Sequence, residues 1–243
     1  MSTLSVKRQE YKYFINNADM YKVASILNSL MTLDEHANLK TKEYTVTSLY
    51  FETPDDEDLD EKIDGVLIRE KHRLRLYNHD HSIIKLETKK RNGTVISKDS
   101  AQIEIINALD LCSGCYNPEV FENKLAKLIT TKLKSEAYRP RVIVEYDRQA
   151  YYLPYGDIRI TFDKNLRTYN AYTNLLGLSN VAKTPVFLDD NQIMEIKFGV
   201  KLPSHILNVL ETIPSTRSSI SKYALCQRFT NHDPRKDYIV PPF

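Results

Sequence analysis

Eight segments of the chain alternate between polar and apolar residues and are rich in Val, Ile, Tyr and Thr. Alternation with a period of two is typical of β-strands that bury one face. The dipeptide Asn92-Gly93, between two of these segments, predicts a tight hairpin. The predicted strands span residues 6–14, 44–53, 66–77, 82–90, 94–102, 139–153, 158–167 and 192–199.

Helical periodicity appears in four shorter stretches. Three of them begin at residues that cap a helix or favour its first turn, namely Asn16-Asn17, Asn117-Pro118 and Pro203-Ser204, and the fourth covers 218–229. On the second helix, the residues predicted to face the core are Phe121, Leu125, Leu128 and Ile129. The pattern predicts an α+β fold, mainly antiparallel β, with peripheral helices on a single domain over residues 1–243.

The composition is that of a folded protein whose charges nearly balance. The 243 residues are 42% hydrophobic and 27% charged, and the formal net charge is +2, so any strongly basic surface must be local. The acidic run Asp55–Asp58 supplies part of the balance and is predicted to be a solvated loop.

Three cysteines do not suit a disulfide framework. We interpret Cys112 and Cys115 as ordinary thiols near a turn, because a zinc site usually needs four ligands. No apolar run approaches the ~20 residues that cross a bilayer, and the first residues lack the apolar segment of a signal peptide. These features predict a cytoplasmic protein.

The stretch REKHRLRLY, residues 69–77, poses an electrostatic problem. As a strand it places Lys71, Arg73, Arg75 and Tyr77 on one face. Cations ~6.6 Å apart repel one another, given a rise of ~3.3 Å per residue. Either this face is open to water or an anion lies along it.

Other predicted strands place carboxylates among their cations. The residues that share such faces are Arg8, Glu10 and Lys12; Lys85, Glu87 and Lys89; Arg159, Thr161 and Asp163; and Glu195 and Lys197. An antiparallel sheet with one face in water explains the pattern, and so does a closed barrel whose charged faces line a lumen. Such a lumen must be wet and hold a polyanion, since unpaired buried charge is costly.

Phosphate is the anion that these side chains suit best. Arginine offers a rigid fork for phosphate oxygens and lysine a compact charge. The chain has six glycines and no glycine-rich phosphate motif, so side chains would have to bind the phosphate. Glutamates among the cations indicate a divalent metal, Mn²⁺ or Mg²⁺, which shares carboxylate and phosphate oxygens.

An ordered set of segments resembles the VTC domain, the polyphosphate polymerase module of the vacuolar transporter chaperone type, in the triphosphate tunnel metalloenzyme or CYTH superfamily. The segments cover most of residues 7–224 and read RQEYKYF, TSLYFET, KIDGVLIREKHRLRLY, IKLETKKRNGTVISK, RPRVIVEYDRQAYYLPYGDIRITFD, IMEIKF and SISKY. The resemblance implies an eight-stranded closed antiparallel tunnel in which the γ-phosphate of ATP is transferred to a growing polyphosphate chain.

The resemblance and the charged faces together assign roles to individual residues. The catalytic group, which would clamp phosphoryl oxygens, comprises Arg73, Arg75, Arg148, Arg159 and Lys222. The substrate-binding group comprises Lys12, Lys85, Lys98, Lys197, Arg8 and Ser219, the last at a position where the family carries a basic residue. Metal would be ligated by Glu195, with Glu10, Glu87 or Glu145 as further ligands.

Arg148 does not fit the simple alternation of its strand. It has the parity of Val144 and Tyr146, whereas Glu145 has the opposite parity. A β-bulge between Glu145 and Arg148 would bring both side chains onto one face.

Three functions stay open at this point. ATP-dependent polyphosphate synthesis is favoured because the hydrolysing relatives begin with E-x-E-x-K, whereas here Arg8 replaces the first acid. The alternatives are metal-dependent hydrolysis of triphosphate, RNA 5′-triphosphate or tripolyphosphate, and non-catalytic binding of polyphosphate. The expected partners are ATP and polyphosphate or triphosphate. Nucleic acid is not expected, because a basic groove for it usually carries interleaved aromatic residues. A separate membrane partner and the oligomeric state stay open.

Overall fold

The computed structural model describes residues 9–93, 95–169, 175, 181–199, 201–214 and 216–230. Arg8, one of the predicted substrate-binding residues, lies outside these described residues. No helix in the described part of the chain is both long enough and apolar enough to span a membrane.

Every one of the eight predicted strands is present. The strands are β1 Gln9–Asn16, β2 Thr32–Leu33, β3 Tyr44–Glu52, β4 Ile68–Tyr77, β5 Ile84–Asn92, β6 Val95–Ile103, β7 Arg139–Leu153, β8 Ile158–Tyr169, β9 Thr184–Pro185 and β10 Asn191–Phe198. The two strands that the sequence did not predict, β2 and β9, have two residues each, too few to show an alternating pattern. The hairpin at Asn92-Gly93 joins β5 to β6, with Asn92 opposite Val95.

The hydrogen-bonded strand order is β1-β10-β8-β7-β3-β4-β5-β6, with β2 beside β7 and β9 beside β8. The pairings of β1 with β10, β10 with β8, β4 with β5 and β5 with β6 are all antiparallel. The predicted α+β class, mainly antiparallel, is confirmed. Backbone hydrogen bonds between the described residues do not join β6 to β1, so closure of the sheet into a tunnel stays a prediction.

The helices correct the sequence analysis in three places. They are α1 Asn17–Leu30, α2 Glu57–Ile63, α3 Ile105–Cys112, α4 Lys124–Ser135, α5 Ser204–Leu210 and α6 Lys222–Thr230, and a short 3-10 helix covers Pro118–Val120. The run predicted as an acidic loop leads into α2, where Asp58 is buried. The helix α3 was not predicted. The second predicted helix is split, because Asn117 caps the 3-10 turn and Asn123 caps α4.

The chain divides into two compact units, each with its own core. Unit 1 comprises Met1–Val46, Tyr146–Leu166 and Phe187–Ile220, and unit 2 comprises Thr47–Glu145, Arg167–Val186 and Ser221–Phe243. The single domain over residues 1–243 stays a prediction.

In unit 1, one face of strands β8 and β10 packs against helices α1 and α5. The core is formed by residues from all four elements, among them Val23, Leu27, Phe162, Ile196 and Ile206. Asn16 caps α1, since its side chain accepts a hydrogen bond of 2.8 Å from the backbone N–H of Asp19. Because strand side chains alternate, the other face of β8 and β10 is left for charged residues.

In unit 2, strands β4, β5 and β6 bury one face under helices α3 and α4. The buried side chains come from all five elements and include Leu74, Leu86, Ile103, Leu111 and Leu133. Cys112 ends α3 in this core, where burial raises the pKa of its thiol to about 12. Cys115 is exposed, so the structure agrees with two ordinary thiols.

Two leucines of α4 test how this helix is oriented. Leu133 is fully buried, whereas Leu128, which the sequence predicted to face the core, is 63% exposed. Replacing Leu133 by Ala should lower the free energy of unfolding by about 2–5 kcal/mol, because it leaves a cavity. Leu128→Ala should change it by less than about 0.5 kcal/mol. Urea denaturation of the two variants checks this, and equal losses would contradict the orientation.

Candidate phosphate-binding site

The charged residues of unit 2 lie on the strand face opposite the apolar core. On β4, Lys71, Arg73 and Arg75 alternate with the buried His72, Leu74 and Leu76. The antiparallel register then sets the neighbours of two of these cations. Arg73 lies opposite Glu87 and Arg75 opposite Lys85, and the next strand places Ser100 beside Glu87. The strand pattern therefore brings the predicted residues of β4 and β5 onto one surface.

Glu87 is the carboxylate at the centre of this face and is only 1% exposed. Its Oε2 accepts a hydrogen bond of 2.8 Å from Arg73 Nε, Arg73 Nη2 lies 2.7 Å from the same oxygen, and Arg75 Nη1 lies 4.0 Å away. Its Oε1 contacts Lys98 Nζ and accepts a 3.4 Å hydrogen bond from Ser100. Burial raises the pKa of Glu87, but Arg73, Arg75 and Lys98 together outweigh burial and lower it to about 2. We call Arg73, Arg75, Lys85, Glu87 and Lys98 the arginine cluster.

Two uncharged residues of β3, the strand on the other side of β4 from β5, accept hydrogen bonds from Arg73 and Arg75. Tyr50 accepts a 3.0 Å hydrogen bond from Arg73 Nη1, and Ser48 accepts one of 3.0 Å from Arg75 Nε. Burial raises the pKa of Tyr50, but the combined effect of the nearby cations, mainly Arg73 and Arg75, is larger and lowers this pKa to about 8. Neither residue was predicted from the sequence, although both share the parity of Glu52 in the segment TSLYFET. That shared parity was the signal that could have found them.

Lys71 lies over the aromatic ring of Tyr223, with its Nζ 4.0 Å from the ring centroid. It also donates a 3.3 Å hydrogen bond to the backbone carbonyl of Asp58. Burial lowers the pKa of Lys71 to about 8, although Asp58 and Glu52 raise it in part. The Tyr223 hydroxyl donates to Glu52, and these contacts fasten α6 to strands β3 and β4. The predicted catalytic residue Lys222 is the first residue of α6 and is half-buried.

In unit 1, two carboxylates and two lysines of β1 and β10 form a second group, the lysine cluster. The register pairs Lys12 with Glu195 and Glu10 with Lys197. Lys12 Nζ lies 3.0 Å from Glu10 and 3.9 Å from Glu195, and Lys197 Nζ lies 2.7 Å from Glu195 and 3.9 Å from Glu10. The four charges therefore balance one another.

The two neighbours of Ser219 in the sequence, Ser218 and Ile220, contact Lys12 of the lysine cluster. The backbone N–H of Ser218 donates to the carbonyl of Lys12 at 2.9 Å, and Lys12 Nζ donates to the carbonyl of Ile220 at 3.2 Å. The structure therefore brings the segment that contains Ser219 beside Lys12.

The two predicted arginines of unit 1 each have a carboxylate partner that the sequence analysis did not assign. Arg148 donates to both oxygens of Asp163, at 2.6 and 2.8 Å. Burial lowers the pKa of Arg148, but Asp163 raises it well above its ordinary value. Arg159 donates to Asp34 at 2.7 Å and to the Tyr44 hydroxyl at 3.0 Å. Such charge-assisted contacts fix the planes of both guanidinium groups.

Glu145 is not brought together with the arginine cluster. It contacts Thr47, whereas Arg75 contacts Ser48, the next residue of β3, so Glu145 and Arg75 lie on opposite faces of that strand. Arg148 stays on the Tyr146 side of β7, with its guanidinium 5.1 Å from the Tyr146 ring. The alternation of β7 is therefore kept, and the proposed bulge is not needed.

Glu145 instead forms its own buried ion-pair cluster in unit 2. Arg167 Nε and Lys183 Nζ each lie 2.6 Å from its Oε1, and Tyr169 donates to its Oε2 at 3.1 Å. Burial raises the pKa of Glu145, but hydrogen bonds from Lys183 and Arg167 outweigh this and lower it. A metal ligand at this position would have to displace two cations.

The lysine cluster is the better fit for a divalent metal. Its two carboxylates, Glu10 and Glu195, contact the same two lysines and are therefore close together. Mg²⁺ commonly binds one or two carboxylates together with substrate phosphates and water. No group of three or more His, Cys, Asp or Glu side chains that could hold a metal is found among the described residues.

The sequence matches the model of one protein family, the VTC domain, over residues 7–230. The chain belongs to the VTC domain family. No curated protein matches the sequence. The family match spans both units and all the predicted site residues.

The chain is also similar to several solved structures. HpAC1 from Hippeastrum, which was assigned as an adenylyl cyclase and has a dominant triphosphatase activity, is 14% identical with a TM-score of 0.52, over 91% of this chain and 96% of that one. The PH1819 protein from Pyrococcus horikoshii OT3 is 15% identical with a TM-score of 0.47, over 90% and 97% of the two chains. A protein of Bacillus halodurans assigned as an adenylate cyclase is 11% identical with a TM-score of 0.46, over 85% and 88%. The chain has the same fold as HpAC1.

The Glu145 cluster generates a prediction about pH. Its folded-state pKa lies below the usual value of 4.5, so the carboxylate stabilises the fold above that pH and less as the pH falls below it. At pH 7, Glu145→Gln should lower the free energy of unfolding by about 1–3 kcal/mol, because Arg167 and Lys183 lose their counter-ion.

Urea denaturation of both proteins between pH 7 and about pH 3 measures this difference. The difference in the free energy of unfolding between wild type and Glu145→Gln should narrow as the pH falls, since the unfolded wild-type chain then binds a proton at Glu145 more readily than the folded protein does. A difference in the free energy of unfolding that stays constant over this pH range would contradict the lowered pKa of Glu145.

Proposed function

We propose that this protein is an ATP-dependent polyphosphate polymerase. The observation that supports it most is the arginine cluster, in which Arg73, Arg75, Lys85 and Lys98 lie around Glu87 on one face of strands β4 to β6. Such a face has an excess of positive charge suited to a chain of linked phosphates. Membership of the VTC domain family agrees with this function.

In the proposed reaction, a terminal oxyanion of polyphosphate attacks the γ-phosphorus of ATP. A new P–O–P bond forms, the bond between the γ-phosphorus and the β–γ bridging oxygen breaks, and ADP leaves with the electron pair. No proton has to move, because the attacking phosphate oxygen is already ionised near neutral pH. The protein therefore needs to align two polyanions and offset their repulsion rather than to provide a base.

The residues divide this work by their chemistry. Arg73, Arg75, Arg148 and Arg159 would bind phosphoryl oxygens and stabilise the charge of the transition state. The donor and the growing chain would be held by Lys12, Lys85, Lys98, Lys197, Lys222, Arg8 and Ser219. Glu195, with Glu10, would hold Mn²⁺ or Mg²⁺, which supplies positive charge to the phosphate oxygens.

Triphosphate hydrolysis is the second candidate. The fold shared with HpAC1, a protein with a dominant triphosphatase activity, favours it. Hydrolysis requires activation of a water molecule, and the carboxylates of the lysine cluster each contact two lysines. That arrangement suits charge pairing more than proton abstraction, so we rank hydrolysis second. Binding of polyphosphate without catalysis ranks third.

One assay separates the three functions. The purified protein is incubated with ATP and Mn²⁺, and long-chain polyphosphate, free phosphate and ADP are measured. Polyphosphate with an equal yield of ADP supports the polymerase, free phosphate supports the hydrolase, and neither product supports a binding module.

Arg75→Ala should reduce kcat at least about 100-fold, because it removes a charged donor to the transferred phosphoryl group. Circular dichroism verifies that the variant is folded. Arg91→Ala is the matched control, since Arg91 is an exposed arginine of the neighbouring strand β5, and it should keep wild-type activity. If Arg75→Ala keeps wild-type turnover, Arg75 does not bind the transferred phosphoryl group in the transition state.

The metal assignment has a test of its own. Glu195→Gln should raise the Mn²⁺ concentration for half-maximal activity by about tenfold or more. Glu35→Gln, which changes an exposed carboxylate of the same unit, should leave that concentration unchanged. Titration of activity with Mn²⁺ measures both, and an unchanged value for Glu195→Gln would exclude this ligand.

A further inference from the structure

Glu87 stands out in the arginine cluster because it contacts cations from both neighbouring strands. It lies on β5, between β4 and β6, and it contacts Arg73 and Arg75 on one side and Lys98 on the other. From the sequence, Glu87 was predicted to be a possible metal ligand. The contacts give it a different role.

We propose that Glu87 is a positioning residue, a shared counter-ion that orients Arg73 and Lys98 for phosphate binding, and that it is not a metal ligand. This inference rests on the proposed function, since it concerns the same phosphate-binding face.

Both carboxylate oxygens of Glu87 are already engaged. Oε2 accepts a hydrogen bond from Arg73 Nε and is paired with Arg73 Nη2, and Oε1 contacts Lys98 and accepts a hydrogen bond from Ser100. A divalent cation would have to displace these donors and would then lie beside two arginines and a lysine, which repel it. Glu195 also contacts two lysines, but Glu10 contacts the same two, so a metal there would meet two carboxylates against two lysines.

The geometry around Arg73 is what a positioning role requires. Glu87 binds its Nε and Nη2, and Tyr50 binds its Nη1 at 3.0 Å. Contacts at three nitrogens fix the plane of the guanidinium group, whereas an arginine side chain without such contacts samples many rotamers. Because Arg75 and Lys98 carry the same charge, they would also move apart if the carboxylate lost its charge.

A phosphate chain should be able to substitute for the lost carboxylate charge. Tripolyphosphate brings several negative charges to the same cations and would replace part of the negative charge that Glu87 supplies in the wild type. Loss of Glu87 should therefore make the fold more dependent on a bound anion, an effect that loss of a metal ligand would not have.

The experiment compares wild type, Glu87→Gln and Glu195→Gln with a control, Asp99→Asn. Asp99 is a carboxylate of β6 that pairs at 3.3 Å with the exposed Lys90. The first readout is kcat and the Mn²⁺ concentration for half-maximal activity. The second is the Tm with and without inorganic tripolyphosphate in the presence of EDTA.

For Glu87→Gln we expect kcat to fall about 100-fold, because the arginines are misplaced. The Mn²⁺ requirement should stay within about twofold of wild type, while Glu195→Gln raises it. Without anion the Tm of Glu87→Gln should be lower by about 4–10 °C, and tripolyphosphate should raise it more than it raises the Tm of wild type. Asp99→Asn should match wild type in every readout.

A tenfold rise in the Mn²⁺ requirement of Glu87→Gln would identify a metal ligand and overturn the proposal. An equal Tm response to tripolyphosphate in wild type and Glu87→Gln would also overturn it. If Glu87→Gln does not fold, Tyr50→Phe removes the other contact to Arg73 and should lower kcat without changing the Mn²⁺ requirement. If the wild type makes no polyphosphate, the proposed function fails, yet the Tm response still decides the role of Glu87.

Discussion

Cations can share a strand face only if negative charge is supplied at the same place. In an antiparallel sheet the register decides where that charge comes from, because each residue has one fixed neighbour on the next strand. Here Arg73 lies opposite Glu87, Lys12 opposite Glu195 and Lys197 opposite Glu10. The positions of the carboxylates therefore determine how each charged face behaves.

The lysine cluster of unit 1 and the arginine cluster of unit 2 differ in how many carboxylates they have for their cations. The lysine cluster of unit 1 has two carboxylates for two lysines, so its charge is balanced and its oxygen donors suit a metal. The arginine cluster of unit 2 has Glu87 for two arginines and two lysines, so it carries an excess of positive charge. That excess suits an anion. One rule of strand pairing thus produces one face with balanced charges and one face with an excess of positive charge.

Alternation along the chain was enough to predict the eight long strands and the residues that share their charged faces. It could not decide whether Glu145, a possible metal ligand, shares a face with Arg148, because that depends on whether β7 contains a bulge. The burial of Asp58 could not be predicted either. It depends on a hydrogen bond of 3.2 Å from Tyr138, 80 residues away. Tyr50 and Ser48 carry no charge, so a search for charged faces passed over them.

A buried carboxylate among cations is costly to desolvate, and its presence needs a physical reason. Without it, the arginines would repel one another and adopt many conformations before a substrate arrived, and binding would have to pay for ordering them. With Glu87 in place, the donors are held ready, and the remaining positive charge is spread over two or more strands. A single phosphate can reach only part of such a surface, whereas a chain of linked phosphates can contact several cations at once. The same carboxylate that stabilises the face should therefore favour long anions over short ones.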